Sequence, residues 1–374
     1  MAKTLYIHIP FCRQKCFYCD FCSIPYDPAL AGRYADILCR QFKSLNGSFS
    51  SIYVGGGTPT VLGLKLLRKI FGGLRLFSRG CREFSVEANP ESLTADKLAL
   101  FRDNGVNRIS IGVQSFDDAK LKKLGRCHDS AQARAAVRLA RQSGFKNISI
   151  DLIFGAPGEC LREWKKDLAQ ACSLPVTHVS AYALSYERGT RLWETFKKTA
   201  VDPPEDDMAA AMYEYTMQYL PRKGFRQYEI SNFAIKGFAC RHNLSYWQGD
   251  EYVGIGAAAV SYVNGRRITN DDDVSRFIKK AAADKSVAVG RDSLPVLSRA
   301  KEAAAVKIRT REGIDFGWFR RRFGVDFMLL ENEAVDGLLG KKLIAYIRRN
   351  GKIKGVRLTR KGFLFGDEAS SALV

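Results

Sequence analysis

Three cysteines, Cys12, Cys16 and Cys19, stand at the spacing C-x3-C-x2-C directly after a largely apolar run that starts at Tyr6 and ends at Pro10. Three thiolates on one short loop can hold three irons of a four-iron, four-sulfur cluster and leave the fourth iron open to a small molecule. A structural zinc site asks for four closed ligands, usually as two C-x2-C pairs. Cys22 supplies a fourth sulfur nearby, so counting alone leaves zinc open, and a disulfide framework as well.

Context narrows the choice. The 374 residues suit one large domain with a smaller accessory one. No run of roughly 18 apolar residues marks a membrane span. Only Met1, Ala2 and Lys3 precede the first strand-like run, which does not read as a signal peptide. Ten cysteines without a secretion signal point to reduced thiols in a cytoplasmic setting. Cys39, Cys81, Cys160 and Cys172 sit in or beside apolar stretches and read as buried small hydrophobes. The net charge of +20 is scattered, densest at Arg320-Arg321-Arg322 and Arg348-Arg349. It reads first as a solvated surface and second as a surface for anionic ligands or a peripheral membrane-surface contact. Nucleic acid is not an expected partner.

Strand-like runs alternate with helix-length stretches through the first half. The strands are Leu5–Ile9, Ser51–Val54, Glu83–Glu87, Arg108–Val113, Asn147–Phe154 and His178–Leu184. The helices are Ala29–Leu45, Leu62–Leu76, Thr94–Asn104, Ser130–Ser143 and Cys160–Ala171. This is an α/β pattern of parallel strands with right-handed crossovers. Six units fall short of a closed eightfold barrel, so a partial, open (β/α)6 barrel is expected, with ligands at the C-terminal strand ends.

Unusual residues fall at those ends. Gly55-Gly56-Gly57-Thr58-Pro59 follows the second strand and lets backbone approach a ligand, but it lacks the Gly-Lys-Ser/Thr of a phosphate loop. Glu87 ends the third strand and suits paired hydroxyl donors. Gln114 ends the fourth, and Arg126, a fork for a carboxylate, follows soon after. Asp151 lies in the fifth. Tyr6 and His8 share one face of the first.

Arg188–Thr199 reads as a polar exit from the barrel, and Asp202 to Asp207 as a loop and acidic helix start before an amphipathic helix over Met208–Leu220. A second dense stretch follows: Tyr228-Glu229-Ile230-Ser231-Asn232-Phe233-Ala234, then His242-Asn243-Leu244-Ser245-Tyr246-Trp247, then Gly254-Ile255-Gly256-Ala257-Ala258-Ala259. A neutral imidazole is a natural axial ligand for heme iron, and aromatics pack a flat macrocycle. The same residues also suit plain packing. A helix is expected over Val274–Ala283. Helices over Arg299–Ile308, Trp318–Phe323 and Met328–Leu339 and a hairpin-like Gly351–Thr359 close the chain.

The cysteine loop and the words around it, with Gly-Gly-Gly-Thr-Pro and His-Asn-x-x-Tyr-Trp, resemble the radical S-adenosylmethionine (SAM) superfamily. Within it they resemble the branch that holds the HemW heme chaperones and the oxygen-independent coproporphyrinogen III oxidases. The resemblance implies a [4Fe-4S] cluster on Cys12, Cys16 and Cys19, and SAM lined by Tyr6, Gly56, Gly57, Thr58, Glu87, Gln114, Arg126 and Asp151. It implies heme on His242, and heme transfer to an acceptor, expected to be respiratory. It also implies a barrel over 1–225, a heme-motif and connecting region over 226–297, and a winged-helix-like α+β domain over 298–374. The alternative is oxidative decarboxylation of coproporphyrinogen III, and two features argue against it. Phe21 stands where the oxidases carry a fourth cysteine, and little chain precedes Tyr6. One departure from the chaperone pattern is Ala257-Ala258 where Pro-Gly is usual.

Overall fold

Alternation along each strand divides the barrel into an apolar outside and a polar lumen. Leu5, Ile7 and Ile9 are buried against the outer helices, while Thr4, Tyr6 and His8 point the other way. The computed structural model describes residues 4–199 and 206–374. Met1, Ala2, Lys3 and the expected loop from Asp202 to Glu205 lie outside the described residues.

Six strands pair in parallel and in chain order: β1 (Thr4–Ile9), β2 (Ser51–Gly56), β3 (Glu83–Ala88), β4 (Arg108–Gln114), β5 (Asn147–Phe154) and β6 (His178–Ala183). The crossovers run through α1 (Pro28–Lys43), α2 (Leu64–Ser78), α3 (Ala95–Asp103), α4 (Asp118–Lys123), α5 (Ser130–Gln142) and α6 (Leu161–Ser173). Local chemistry sets their starts: Asp27, Thr94 and Asp129 each accept a backbone N–H of the first turn. Then come α7 (Arg191–Thr199) and α8 (Asp206–Arg222).

The sheet extends past both sides of this core. Beyond β6 lie the antiparallel strands β7 (Arg226–Gln227) and β8 (Asn232–Ala234), with β8 against β6. Beyond β1 lies a seventh parallel strand, β9 (Tyr252–Ile255), then antiparallel β10 (Val260–Val263), β11 (Arg266–Asn270) and β12 (Ala288–Ser293). The two outermost strands of this twelve-stranded sheet do not pair with each other, so the barrel is partial and open, as expected.

The lumen holds Ser51, Glu83, Ser85, Arg108, Ser110, Ser149, His178 and Ser180, all buried. Its floor, at the N-terminal strand ends, is closed by α9 (Arg241–Trp247). The Glu83 carboxylate accepts the N–H groups of Arg241 (2.9 Å) and His242 (3.0 Å), which caps the positive end of that helix.

After α10 (Val274–Ala282), the chain forms α11 (Val296–Lys307), β13 (Ile314–Asp315), α12 (Phe316–Phe323) and α13 (Phe327–Gly340), and then the hairpin β14 (Ile344–Arg349) and β15 (Lys352–Leu358). β15 is central in a three-stranded antiparallel sheet, the element order of a winged helix. Asn350 and Gly351 both take left-handed φ (51° and 73°), as a two-residue hairpin turn requires. No helix among the described residues is long and apolar enough to cross a membrane. Cys39, Cys81, Cys160 and Cys172 prove half-buried, whereas Cys240 is the fully buried thiol.

Candidate functional site

The loop after β1 is tied to the barrel rim by backbone bonds. Gly57 N donates to Ile9 O (2.8 Å) and Thr58 N to Phe11 O (2.7 Å), so the glycine turn after β2 is stitched to the start of the cysteine loop. The three glycines are demanded by space. A Cβ at Gly55 would lie 2.7 Å from the Glu87 carboxyl, and one at Gly56 (φ 112°) 2.6 Å from the His8 ring.

Side chains then close a chain of contacts from one cysteine to another. Cys12 Sγ lies 3.5 Å from Thr58 Oγ1, which accepts from Asn89 Nδ2 at 2.9 Å. Asn89 Oδ1 accepts from Arg126 Nη2 at 2.7 Å, and Arg126 Nη1 donates to Cys16 Sγ at 3.3 Å. Arg126 Nη2 also donates to Gly112 O (2.8 Å), while its Nε is buried without a hydrogen-bond partner. A Cβ at Gly112 would meet Asn89 Oδ1 at 2.9 Å and Gln114 Nε2 at 3.0 Å, so the rim is polar and closely cradled there. Gln114 holds a left-handed φ of 64°, a strained conformation that turns the chain out of β4. Asn89 is the hub that sequence reasoning passed over. Its one signal was a place two residues past Glu87 at a strand end.

Glu87 accepts from Tyr53 Oη (2.7 Å) and Gly56 N (3.0 Å). Burial pushes its carboxyl up to about 7 against those bonds. Asp151 is likewise raised by burial, with the Ser180 and Ser110 hydroxyls opposing the shift. Tyr6 Oη bonds His8 Nδ1 at 3.0 Å, and His8 Nε2 bonds the Cys22 carbonyl at 2.8 Å. The rim thus gathers Gly56, Gly57, Thr58, Glu87, Gln114 and Arg126 near Cys12, Cys16 and Cys19, with Tyr6 and Asp151 inside the lumen.

The cysteines are all free thiols. Burial pushes Cys19 up to about 11 and raises Cys12, an effect that bound metal cations oppose because they favour thiolate. Among the described residues, no three His, Cys, Asp or Glu side chains converge as the donors of a single metal ion would. Cys22 turns away and donates to Asp272 O at 3.1 Å. Free thiols on one loop, a guanidinium on one of them and an unpaired Arg126 Nε beside a cradled backbone fit a cluster and an anionic co-ligand.

His242 lies at the other end of the barrel. It is 1% exposed and stacks on Tyr53 at 4.8 Å between ring centroids. Its Nδ1 lies 3.3 Å from Ser51 Oγ and its Nε2 2.9 Å from Tyr246 Oη. The next residues of that helix open onto a cavity of about 770 Å³. Tyr246, Trp247, Tyr252 and Tyr262 line one part of it, and Tyr6, His8, Phe21 and Cys22 another. The two dense stretches of the sequence therefore meet across one cavity, beside α11 and α12.

Comparisons with known proteins agree with this geometry. Residues 6–171 match the model of the radical SAM superfamily. The chain is 35% identical over 368 residues to the heme chaperone HemW of Lactococcus lactis subsp. lactis, covering 98% of this chain and 95% of that one. It is 34% identical to HemW of Bacillus subtilis, covering 100% and 99%. Among solved structures, the radical SAM enzyme coproporphyrinogen III oxidase (HemN) from Escherichia coli superposes with a TM-score of 0.86 over 100% of this chain and 90% of that chain. At 21% identity that likeness establishes the fold. Full-length identity to the chaperones, together with the cysteine loop on a six-unit open barrel, shows that this chain belongs to the HemW family of the radical SAM superfamily.

Proposed function

We propose that this protein is a heme chaperone that holds a [4Fe-4S] cluster, SAM and heme, and passes heme to an acceptor. The observation that carries the proposal is the shared cavity: Phe21 and Cys22, just past the cluster cysteines, and the Tyr246–Trp247 end of α9 line one aromatic space of about 770 Å³. That size and lining suit a flat, largely apolar ligand.

In this reading Cys12, Cys16 and Cys19 would hold the cluster, which would supply a binding site for SAM. Arg126 orients Cys16 and offers its free Nε to an anionic group. Gly56, Gly57 and Thr58 present the backbone, Glu87 accepts from ribose hydroxyls, and Tyr6, Gln114 and Asp151 complete the wall. His242 holds Tyr246 from behind and reaches heme iron only when Tyr246 leaves its Nε2. The acceptor is a heme-requiring, respiratory protein. The work is placed in the cytoplasm, with the basic surface free to approach an anionic membrane. The division at residues 225 and 297 stands as part of the same proposal.

The test is anaerobic cluster reconstitution, followed in parallel by hemin titration and by an assay for protoporphyrinogen formation. Stable hemin binding without porphyrinogen turnover is the expected result. Turnover without hemin binding would establish the decarboxylase instead.

A further inference from the structure

We infer that Arg267, Arg299 and Arg322 form a clamp for paired carboxylates on one edge of the ligand in this cavity, and that Glu302 and Asp250 occupy the clamp in competition with the cargo. The inference rests on the heme-chaperone reading and specifies how that cargo is held and let go.

All five residues line the cavity. Arg267 on β11 makes a two-point pair with Glu302 on α11: Nη1 to Oε1 at 3.1 Å and Nη2 to Oε2 at 3.0 Å. Arg322 on α12 donates to Asp250 Oδ1 at 3.3 Å and to the Gly249 carbonyl. Arg299 on α11 has a buried Nε without a hydrogen-bond partner. Its guanidinium lies over Gly265 so closely that a Cβ there would stand 2.2 Å from Nη1, and the left-handed φ of 72° at Gly265 also favours glycine. Three guanidinium forks and two side-chain carboxylates thus line this wall, and the buried Arg299 Nε is a donor without a partner.

A guanidinium binds a carboxylate through two parallel N–H donors. A flat ligand with two carboxylates on one edge and an apolar body, a porphyrin with its propionates, matches this wall and the aromatic remainder. Each resident pair is partly exposed: the Arg267 and Glu302 side chains are 39% and 34% exposed, and those of Arg322 and Asp250 are 30% and 38%. Such pairs are weak in water and exchange readily. A cargo carboxylate therefore displaces Glu302 or Asp250, and the displaced group returns when the cargo leaves. Built-in competition lowers affinity and speeds release, which suits a protein that must hand its ligand on.

The test uses the full-length protein, ferric hemin, and the dimethyl ester of the same hemin, which lacks both carboxylates. Absorbance titration gives affinity, and transfer to excess apo-globin gives the release rate. Wild type is expected to bind hemin about ten-fold or more tighter than the ester. Arg299→Gln and Arg322→Gln should narrow that gap, while Glu302→Gln and Asp250→Asn should tighten hemin binding and slow its transfer by roughly three-fold or more. The comparison of hemin with its ester needs no variant, so a misfolded mutant cannot decide it. Equal binding of both ligands by wild type, or weaker hemin binding by Glu302→Gln, overturns the clamp while leaving the chaperone reading intact. Binding of neither ligand overturns both.

Discussion

The imidazole of His242 is held between two hydroxyls, with Nε2 2.9 Å from Tyr246 Oη and Nδ1 3.3 Å from Ser51 Oγ. One ring joins the floor of the barrel lumen to the wall of the cavity. Burial, helped by the Arg108 charge, lowers His242 to about 3, so it stays neutral at every physiological pH.

That shift fixes a direction for acid stability. The unfolded chain takes up a proton at His242 near pH 6.5 and the folded chain only near 3, so stability is present above 6.5 and is lost as pH falls through that window. The loss is at most about 1.4 kcal/mol per pH unit from this one group. His242→Gln removes the titration. Chemical denaturation between pH 6.5 and 4 should show a shallower fall for the variant than for wild type. Equal slopes would mean that the ring is not sealed.

A buried charge cluster props the loop after β4. Lys120 Nζ lies 2.5 Å from Glu159 and 3.1 Å from Asp167, and all three residues are buried. Asp167 in turn accepts from Ser115 Oγ and Phe116 N, each at 2.7 Å, which fixes the chain just past Gln114. Lys120→Met strands two carboxylates and should cost about 3–5 kcal/mol in urea unfolding. The triple variant with Glu159→Gln and Asp167→Asn should recover a large part of that, because no unpaired charge remains.

These relationships mark where sequence reading stops. The six strands were legible because Leu5, Ile7 and Ile9 and their counterparts repeat the same buried face. The cysteine loop was legible because its spacing is local. Strands β9 and β10 were not, since four-residue runs such as Tyr252-Val253-Gly254-Ile255 carry too little pattern to separate from a loop. Asp151 looked like a strand-end group until strand register placed it opposite Ser180, as it placed Ser110 opposite Ser149, inside the lumen. Asn89 and Lys120 act through partners 37 and 47 positions away, a separation that no local motif encodes.

Ala258 is an L-residue in the left-handed region, with φ 57°, on the turn between β9 and β10. The strain of a Cβ in that conformation is about 1–2 kcal/mol. Glycine removes the strain but adds freedom to the unfolded chain, which offsets roughly half of the gain. Ala258→Gly should therefore raise stability by about 0.5–1 kcal/mol, read as a higher midpoint of thermal unfolding. A drop would show that the methyl group packs usefully against the cavity it lines.

Glu87 gives a pH signature of opposite sign to that of His242. Burial, opposed by the Tyr53 and Gly56 bonds, holds its carboxyl near 7 in the folded chain against an ordinary value of 4.5. Between those values the folded state keeps a proton that the unfolded state has lost, so stability is fully present below pH 4.5 and declines as pH rises through 7. The decline should total on the order of 3 kcal/mol and vanish in Glu87→Gln. SAM binding should run the other way. Only the ionised carboxylate accepts from two ribose hydroxyls without giving up an oxygen to its own proton. Affinity for SAM in the cluster-loaded protein should therefore rise from pH 6 to 8 in wild type and stay flat and weaker in Glu87→Gln. Calorimetric titration at the two pH values reads both arms, and a flat wild-type profile would remove Glu87 from the ribose site.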